Sequence, residues 1–199
     1  MSEPLIHPDI TKAHTLPSRF YTDEKSFQHL MNDMRNSWYF AAHSSQFVEH
    51  DVIPLIDIEE MLGDALILTN SDKIRCLSNV CTHRGMLVAT GPRKCSTLQC
   101  KYHGRTFGMD GCLKNMPEFQ DVEGFPSASD DLPGFPITEW KGLQLVGGDR
   151  YLKEAIAELQ SRLGWLDVAS FKHDKSRFRS YEIGANWALY VDNYLEGFH

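Results

Sequence analysis

Two short pieces of sequence, each a cysteine followed closely by a histidine and then a glycine, constrain this chain more than anything else in it. Cys81-Thr82-His83-Arg84-Gly85 has C-x-H spacing, Cys100-Lys101-Tyr102-His103-Gly104 has C-x-x-H spacing, and 16 residues separate His83 from Cys100. Thiolate and imidazole are donors for zinc and iron, and a glycine just after each pair lets the backbone turn tightly around a bound object. Four such donors suit zinc or an iron–sulfur cluster. The C-x-H spacing is tighter than the C-x₂₋₄-C of ordinary zinc modules, and the H-x₃₋₅-H pattern that completes many of them does not follow. Each segment also offers one thiolate and one imidazole, which suits a two-iron group with unlike ends. The spacing therefore favours the cluster, with zinc as the alternative.

The texture around these segments is β-rich. WYFAAHS, DVIPLI, DALILTN, DKIRCLSNV, STLQC and GLQLVGG follow one another, separated by turn residues such as Gly91-Pro92, Asp110-Gly111 and Pro133-Gly134. Short strands at close spacing predict a small antiparallel sandwich or barrel. Before it, Thr22 to Met34 reads as an amphipathic helix with Phe27, Leu30, Met31 and Met34 at helical spacing. After it, Leu152, Ile156, Leu159 and Leu163 predict a second helix stopped by Gly164. RFRSYEIG then reads as a strand, and a last helix starts near Asn186. PEFQDVEGFPSASDDLPGFP reads as a long acidic surface loop pinned by its aromatics. These patterns divide the chain into a helical extension (1–36), a β domain (37–148) and the start of another domain (149–199).

Charge narrows the partners. Lys and Arg number 20 against 27 Asp and Glu, a net −7. Nucleic acids and anionic membranes attract basic surfaces, so neither is an expected partner. The N-terminal stretch lacks a basic start followed by an apolar run, and the longest apolar runs are far short of the ~20 residues a spanning helix needs. The expected location is the cytosol, where thiols stay reduced. Cys76, Cys95 and Cys112, outside the two segments, read as buried or free thiols.

At Cys81, His83, Cys100 and His103 the sequence resembles the Rieske iron–sulfur family, whose pattern C-x-H…C-x-x-H it matches at all four positions. The resemblance implies a [2Fe–2S] cluster with Cys81 and Cys100 on one iron and His83 and His103 on the other. Respiratory members carry two further loop cysteines and hydroxyl donors after the second histidine. Here Arg105 and Phe107 stand there instead, which excludes that class and implies a potential nearer about −150 mV than +300 mV. Small Rieske ferredoxins end with the β domain, whereas this chain runs on for about fifty residues.

The last fourteen residues, Asn186 to His199, place Asp192, Glu196 and His199 at i, i+4 and i+7 of a helix. Periodicity alone reads this as an ordinary polar face. The wording N-W-x₄-D-N-Y-x-E-x-x-H resembles the opening of the catalytic domain in Rieske non-haem iron oxygenase alpha subunits. By that resemblance His199 is the first ligand of a mononuclear iron, and Glu196 is the acid linking that iron to a neighbouring subunit's cluster. Glu at this position is similar to a branch acting on quaternary ammonium compounds such as carnitine. Arg105 departs from the Trp found in many members, with an effect expected on the electron-donor surface or the cluster potential. The chain reads as the N-terminal part of a longer, homotrimeric oxygenase. Its expected partners are an NAD(P)H-dependent reductase, with or without a ferredoxin, dioxygen and a small organic substrate. The alternative is a stand-alone Rieske-type electron carrier. The expected fold is mainly β: a Rieske-type antiparallel domain, an N-terminal helical extension and the first elements of an α+β catalytic domain.

Overall fold

The structure, a computed structural model, describes residues 6–119, 121–148 and 151–195. In chain order its elements are α1 (Arg19–Thr22), α2 (Glu24–Arg35), β1 (Trp38–His43), β2 (Val52–Pro54), α3 (Glu59–Leu62), β3 (Leu66–Asn70), β4 (Ile74–Ser78), β5 (Thr97–Gln99), β6 (Thr106–Gly108), β7 (Leu113–Asn115), β8 (Gly134–Phe135), β9 (Ile137–Trp140), β10 (Leu143–Gly147), α4 (Leu152–Leu163) and α5 (Trp187–Leu195). They form two compact units, one spanning 34–175 and the other built from the stretches before and after it. Among the described residues no helix is long and apolar enough to cross a membrane.

The unbroken apolar run Leu66-Ile67-Leu68 is the pattern of a strand covered on both faces, and β3 is such a strand. It pairs antiparallel with β2 and β4, and β8 adds to the far side of β4. Side-chain alternation then divides the interior in two. Val52, Ile67 and Leu77 face a core shared with Leu98, Phe107, Met109, Leu132 and both Cys81 and Cys100. Ile53, Leu66, Leu68 and Cys76 face a second core with Ala42, Phe47 and Val146. The other sheets are β1-β10-β9 and β5-β6-β7, again antiparallel. β9 and β10 are joined through Lys141 and Gly142, both at positive φ (48° and 86°), the geometry of a two-residue hairpin turn whose twist suits the strands.

All six β-rich runs contain strands. β6 to β9 lie outside those runs: each has two to four residues, and β6, β8 and β9 contain or adjoin glycine or proline, which leaves alternation little room to register. The first helical run is broken at Asp23, whose carboxylate accepts from Ser26 N at 2.8 Å and so caps α2. α4 ends at Leu163 as expected. RFRSYEIG is a correction. Beyond the 3-10 turn Lys175–Arg177, residues 178–183 form no ladder and are exposed. A strand needs a neighbour for its N–H and C=O groups, and among the described residues none pairs with this stretch. In the unit to which it belongs, Asn186 Oδ1 accepts from Ala188 N at 3.0 Å and starts α5, while Asn186 Nδ2 donates to Tyr21 O at 2.9 Å.

Candidate metal centre

Both cysteine–histidine segments lie at one end of the β3-centred core. Cys81 and His83 follow β4, and Cys100 and His103 sit in the loop joining β5 to β6. The two loops fold as the same turn despite their different spacing. Cys81 N donates to Met86 O (2.9 Å) and Cys100 N to Arg105 O (2.8 Å). Gly85 N returns to Cys81 O (3.0 Å) and Gly104 N to Cys100 O (3.1 Å). Closing such a turn puts its glycine in the left-handed region, at φ 72° for Gly85 and 73° for Gly104.

This turn sends the thiols inward and the imidazoles outward. Cys81 and Cys100 are 3% and 2% exposed and belong to the core. Burial, foremost, pushes the Cys81 thiol up, and the neighbouring Cys100 adds to it. His83 is half-buried and His103 exposed, with their Nδ1 atoms 3.1 Å apart and Tyr102 stacked on the His103 ring at 3.9 Å. The His83 imidazole is held below its ordinary value, first by desolvation and then by the charges of His103, Arg84 and Arg105. Two nitrogens that face each other at this distance either share a proton or share a cation.

No three His, Cys, Asp or Glu side chains among the described residues converge on a single ion. The donors are grouped in twos, thiols inside and imidazoles outside. A mononuclear zinc site needs four donors around one centre, whereas a pair at each end fits a two-iron group bridged by inorganic sulfide.

Three residues not singled out as functional in the sequence hold these loops. Asn79, 4% exposed, brackets Ala89 with two 2.8 Å bonds, Nδ2 to Ala89 O and Ala89 N to Oδ1. Thr82 Oγ1 donates to Asp130 O at 2.6 Å. Asp130 Oδ1 accepts from Arg105 Nη2 at 2.5 Å. Asp130 therefore joins both ligand-bearing loops to the 117–136 stretch, which is more than a surface loop: its Leu132 is in the core. Ser127 N and Oγ each donate to Asp130 Oδ2 at 2.9 Å, and these bonds, the backbone one foremost, hold its carboxyl below the usual range with Arg105's help. The available signal was Arg105 itself. An arginine inside a ligand turn must find a carboxylate if it is buried, and at 4% exposure it is buried. Of the two effects expected of Arg105, on the electron-donor surface or on the cluster potential, its burial speaks against the first.

Cys76, Cys95 and Cys112 are free, the first buried and the others half-buried. Glu196 and His199 lie outside the described residues. Asp192, on α5, accepts a hydrogen bond from the Tyr21 hydroxyl.

Residues 37–126 match the Rieske [2Fe-2S] domain family. The chain carries a Rieske domain. It is 31% identical over 199 residues to the carnitine monooxygenase oxygenase subunit of Escherichia coli (strain K12), covering 94% of this chain and 51% of that protein. It is 30% identical over 204 residues to the chloroplastic choline monooxygenase of Spinacia oleracea, covering 98% and 45%. Among solved structures, the quaternary ammonium Rieske monooxygenase CntA in complex with L-carnitine superposes with a TM-score of 0.74 at 25% identity, over 92% of this chain and 53% of that one. Naphthalene 1,2-dioxygenase bound to indole gives 0.57 at 25% identity, over 69% and 33%. The chain is thus a homologue of Rieske oxygenase alpha subunits and spans about half the length of the curated relatives it matches.

Proposed function

We propose that Cys81 and Cys100 hold one iron and His83 and His103 the other of the [2Fe–2S] cluster, in a protein that oxygenates a small quaternary ammonium compound. The pairing of buried thiols with facing Nδ1 atoms carries the ligand assignment. When bound, the cluster takes up and gives up one electron at a time. The thiolates' two negative charges offset the net charge of two ferric ions and two sulfides, so burying them with the group costs little Coulombic energy. His83 and His103, at the surface end, give an electron donor its shortest approach.

In this reading the donor is an NAD(P)H-dependent reductase, with or without a ferredoxin. The chain divides into the helical extension (1–36), the Rieske domain (37–148) and the opening of the mononuclear-iron domain (149–199), in a cytosolic homotrimer. His199 supplies one ligand of that iron and Glu196 carries the link to a neighbouring subunit's cluster. One atom of dioxygen enters the substrate and the other leaves as water, with two electrons from NAD(P)H and two protons. The substrate class is supported by the carnitine and choline in the names of relatives, and by Glu at position 196.

The test uses the full-length protein with a matched reductase. NAD(P)H-dependent oxygen uptake should be stimulated by carnitine, choline or betaine and not by naphthalene. Stimulation by naphthalene alone overturns the substrate class. A cluster that is reduced while no oxygen is consumed with any of them overturns the oxygenase reading in favour of a carrier.

A further inference from the structure

The two ligand turns share their backbone hydrogen bonds but differ sharply at the residue whose carbonyl accepts from the cysteine N–H. In the first turn it is Met86, exposed, and in the second it is Arg105, buried. A guanidinium stays charged at any pH a protein survives, so this is a fixed cation beside a redox group. Its charge centre lies 5.9 Å from the Phe107 ring and 5.6 Å from that of Phe125, an environment that screens poorly. The Asp130 carboxylate faces one end, and among the described residues the buried Nε has no hydrogen-bond partner. An orphaned donor in the interior is a standing cost. A methionine would fill a similar volume without it, so packing alone does not account for an arginine here.

We propose that Arg105 raises the reduction potential of the [2Fe–2S] centre and that Asp130 is the counter-charge that limits the rise. The proposal rests on the ligand assignment made above. With two thiolates and two neutral imidazoles the oxidised centre is formally neutral, and the reduced one carries a single negative charge. A nearby buried cation therefore favours reduction, and a carboxylate beside it opposes the effect. Asp130 is fixed independently by Ser127, so its carboxylate keeps its place when Arg105 changes.

The test is spectroelectrochemical titration of the cluster-loaded chain with Arg105→Met, Asp130→Asn and the double variant, checking iron content and reduced-state EPR in each. Arg105→Met should shift the equilibrium toward the oxidised form by tenfold or more, which is 59 mV for one electron. Asp130→Asn, which keeps an acceptor for Ser127, should shift it the other way, and the double variant should fall between them. An unchanged or raised potential in Arg105→Met overturns the proposal, as do two single variants that move in the same direction, the mark of a loosened site. If Arg105→Met loses iron, the sign in Asp130→Asn decides: upward supports the proposal, unchanged or downward overturns it. A wild-type chain without iron and sulfide would instead overturn the ligand assignment, a separate and visible failure.

Discussion

Asn79→Ala tests whether the first ligand loop is held by a buried amide rather than by the cluster alone. Ala89 is 1% exposed, and its N–H and C=O both bond to the Asn79 side chain. Truncation leaves both groups without partners in the core. A buried orphan costs about 1–3 kcal/mol, so two cost about 2–6, and relaxation of the loop should bring the loss to about 3 kcal/mol. That is roughly a hundredfold in the folding equilibrium, a large share of the ~5–15 kcal/mol that holds a domain together. Asn79→Asp is the control: it keeps an acceptor for Ala89 N–H but sets a carboxylate oxygen against Ala89 O, and it should be at least as damaging. The assay is guanidinium unfolding followed by tryptophan fluorescence, with iron release to a chelator measured in parallel. The midpoint should fall and iron should leave faster in both variants. A change below about 0.5 kcal/mol with unchanged iron release would refute the reasoning.

Other consequences are open to measurement. Burial pushes the Cys76 thiol up to about 12, so it should resist alkylation at pH 8 in the folded chain and react once the chain is denatured; labelling at the unfolded rate without denaturant would contradict its place in the core. The Asp130 carboxyl lies below its ordinary 3.8 in the folded state, so the stability it contributes is complete above pH 3.8 and is lost as the pH falls through the folded value. The gap in thermal midpoint between wild type and Asp130→Asn should accordingly narrow below pH 3.8, and a gap that widens there would refute the assignment. His103→Cys should lower the cluster potential, since an anionic ligand disfavours the added electron; potentiometry showing a rise would contradict it. In the full-length protein, Glu196→Gln should leave both metal centres loaded while turnover collapses, and His199→Ala should empty only the mononuclear site; bleaching of the cluster in either would point to structural roles.

The site was largely legible before the fold because four donors at fixed spacing encode a chemistry that few other arrangements share. The longer strands β1, β3, β4 and β10 were legible for a related reason: runs such as DALILTN hold enough alternating or unbroken apolar residues to register a period. The turn Asp110-Gly111 was visible, but the strands on either side, β6 and β7, have three residues each and are held by pairing, β6 with β5 and β7 with β6, rather than by their own pattern. Asp130 was hidden for a longer-range reason. Its role exists only because the chain returns 25 residues after Arg105 to place a carboxylate beside a buried guanidinium. RFRSYEIG shows the converse error, since β-branched and aromatic residues favour a strand only where a neighbouring backbone offers the other half of the ladder.

The central claim, that two buried thiols and two facing imidazoles hold one [2Fe–2S] cluster, is tested most directly by pulsed EPR on the dithionite-reduced chain, with iron and acid-labile sulfide measured on the same sample. The account predicts two iron and two sulfide per chain and hyperfine coupling to two histidine nitrogens, one of them lost in His83→Cys. One zinc and no sulfide, or a cluster without nitrogen coupling, would contradict it.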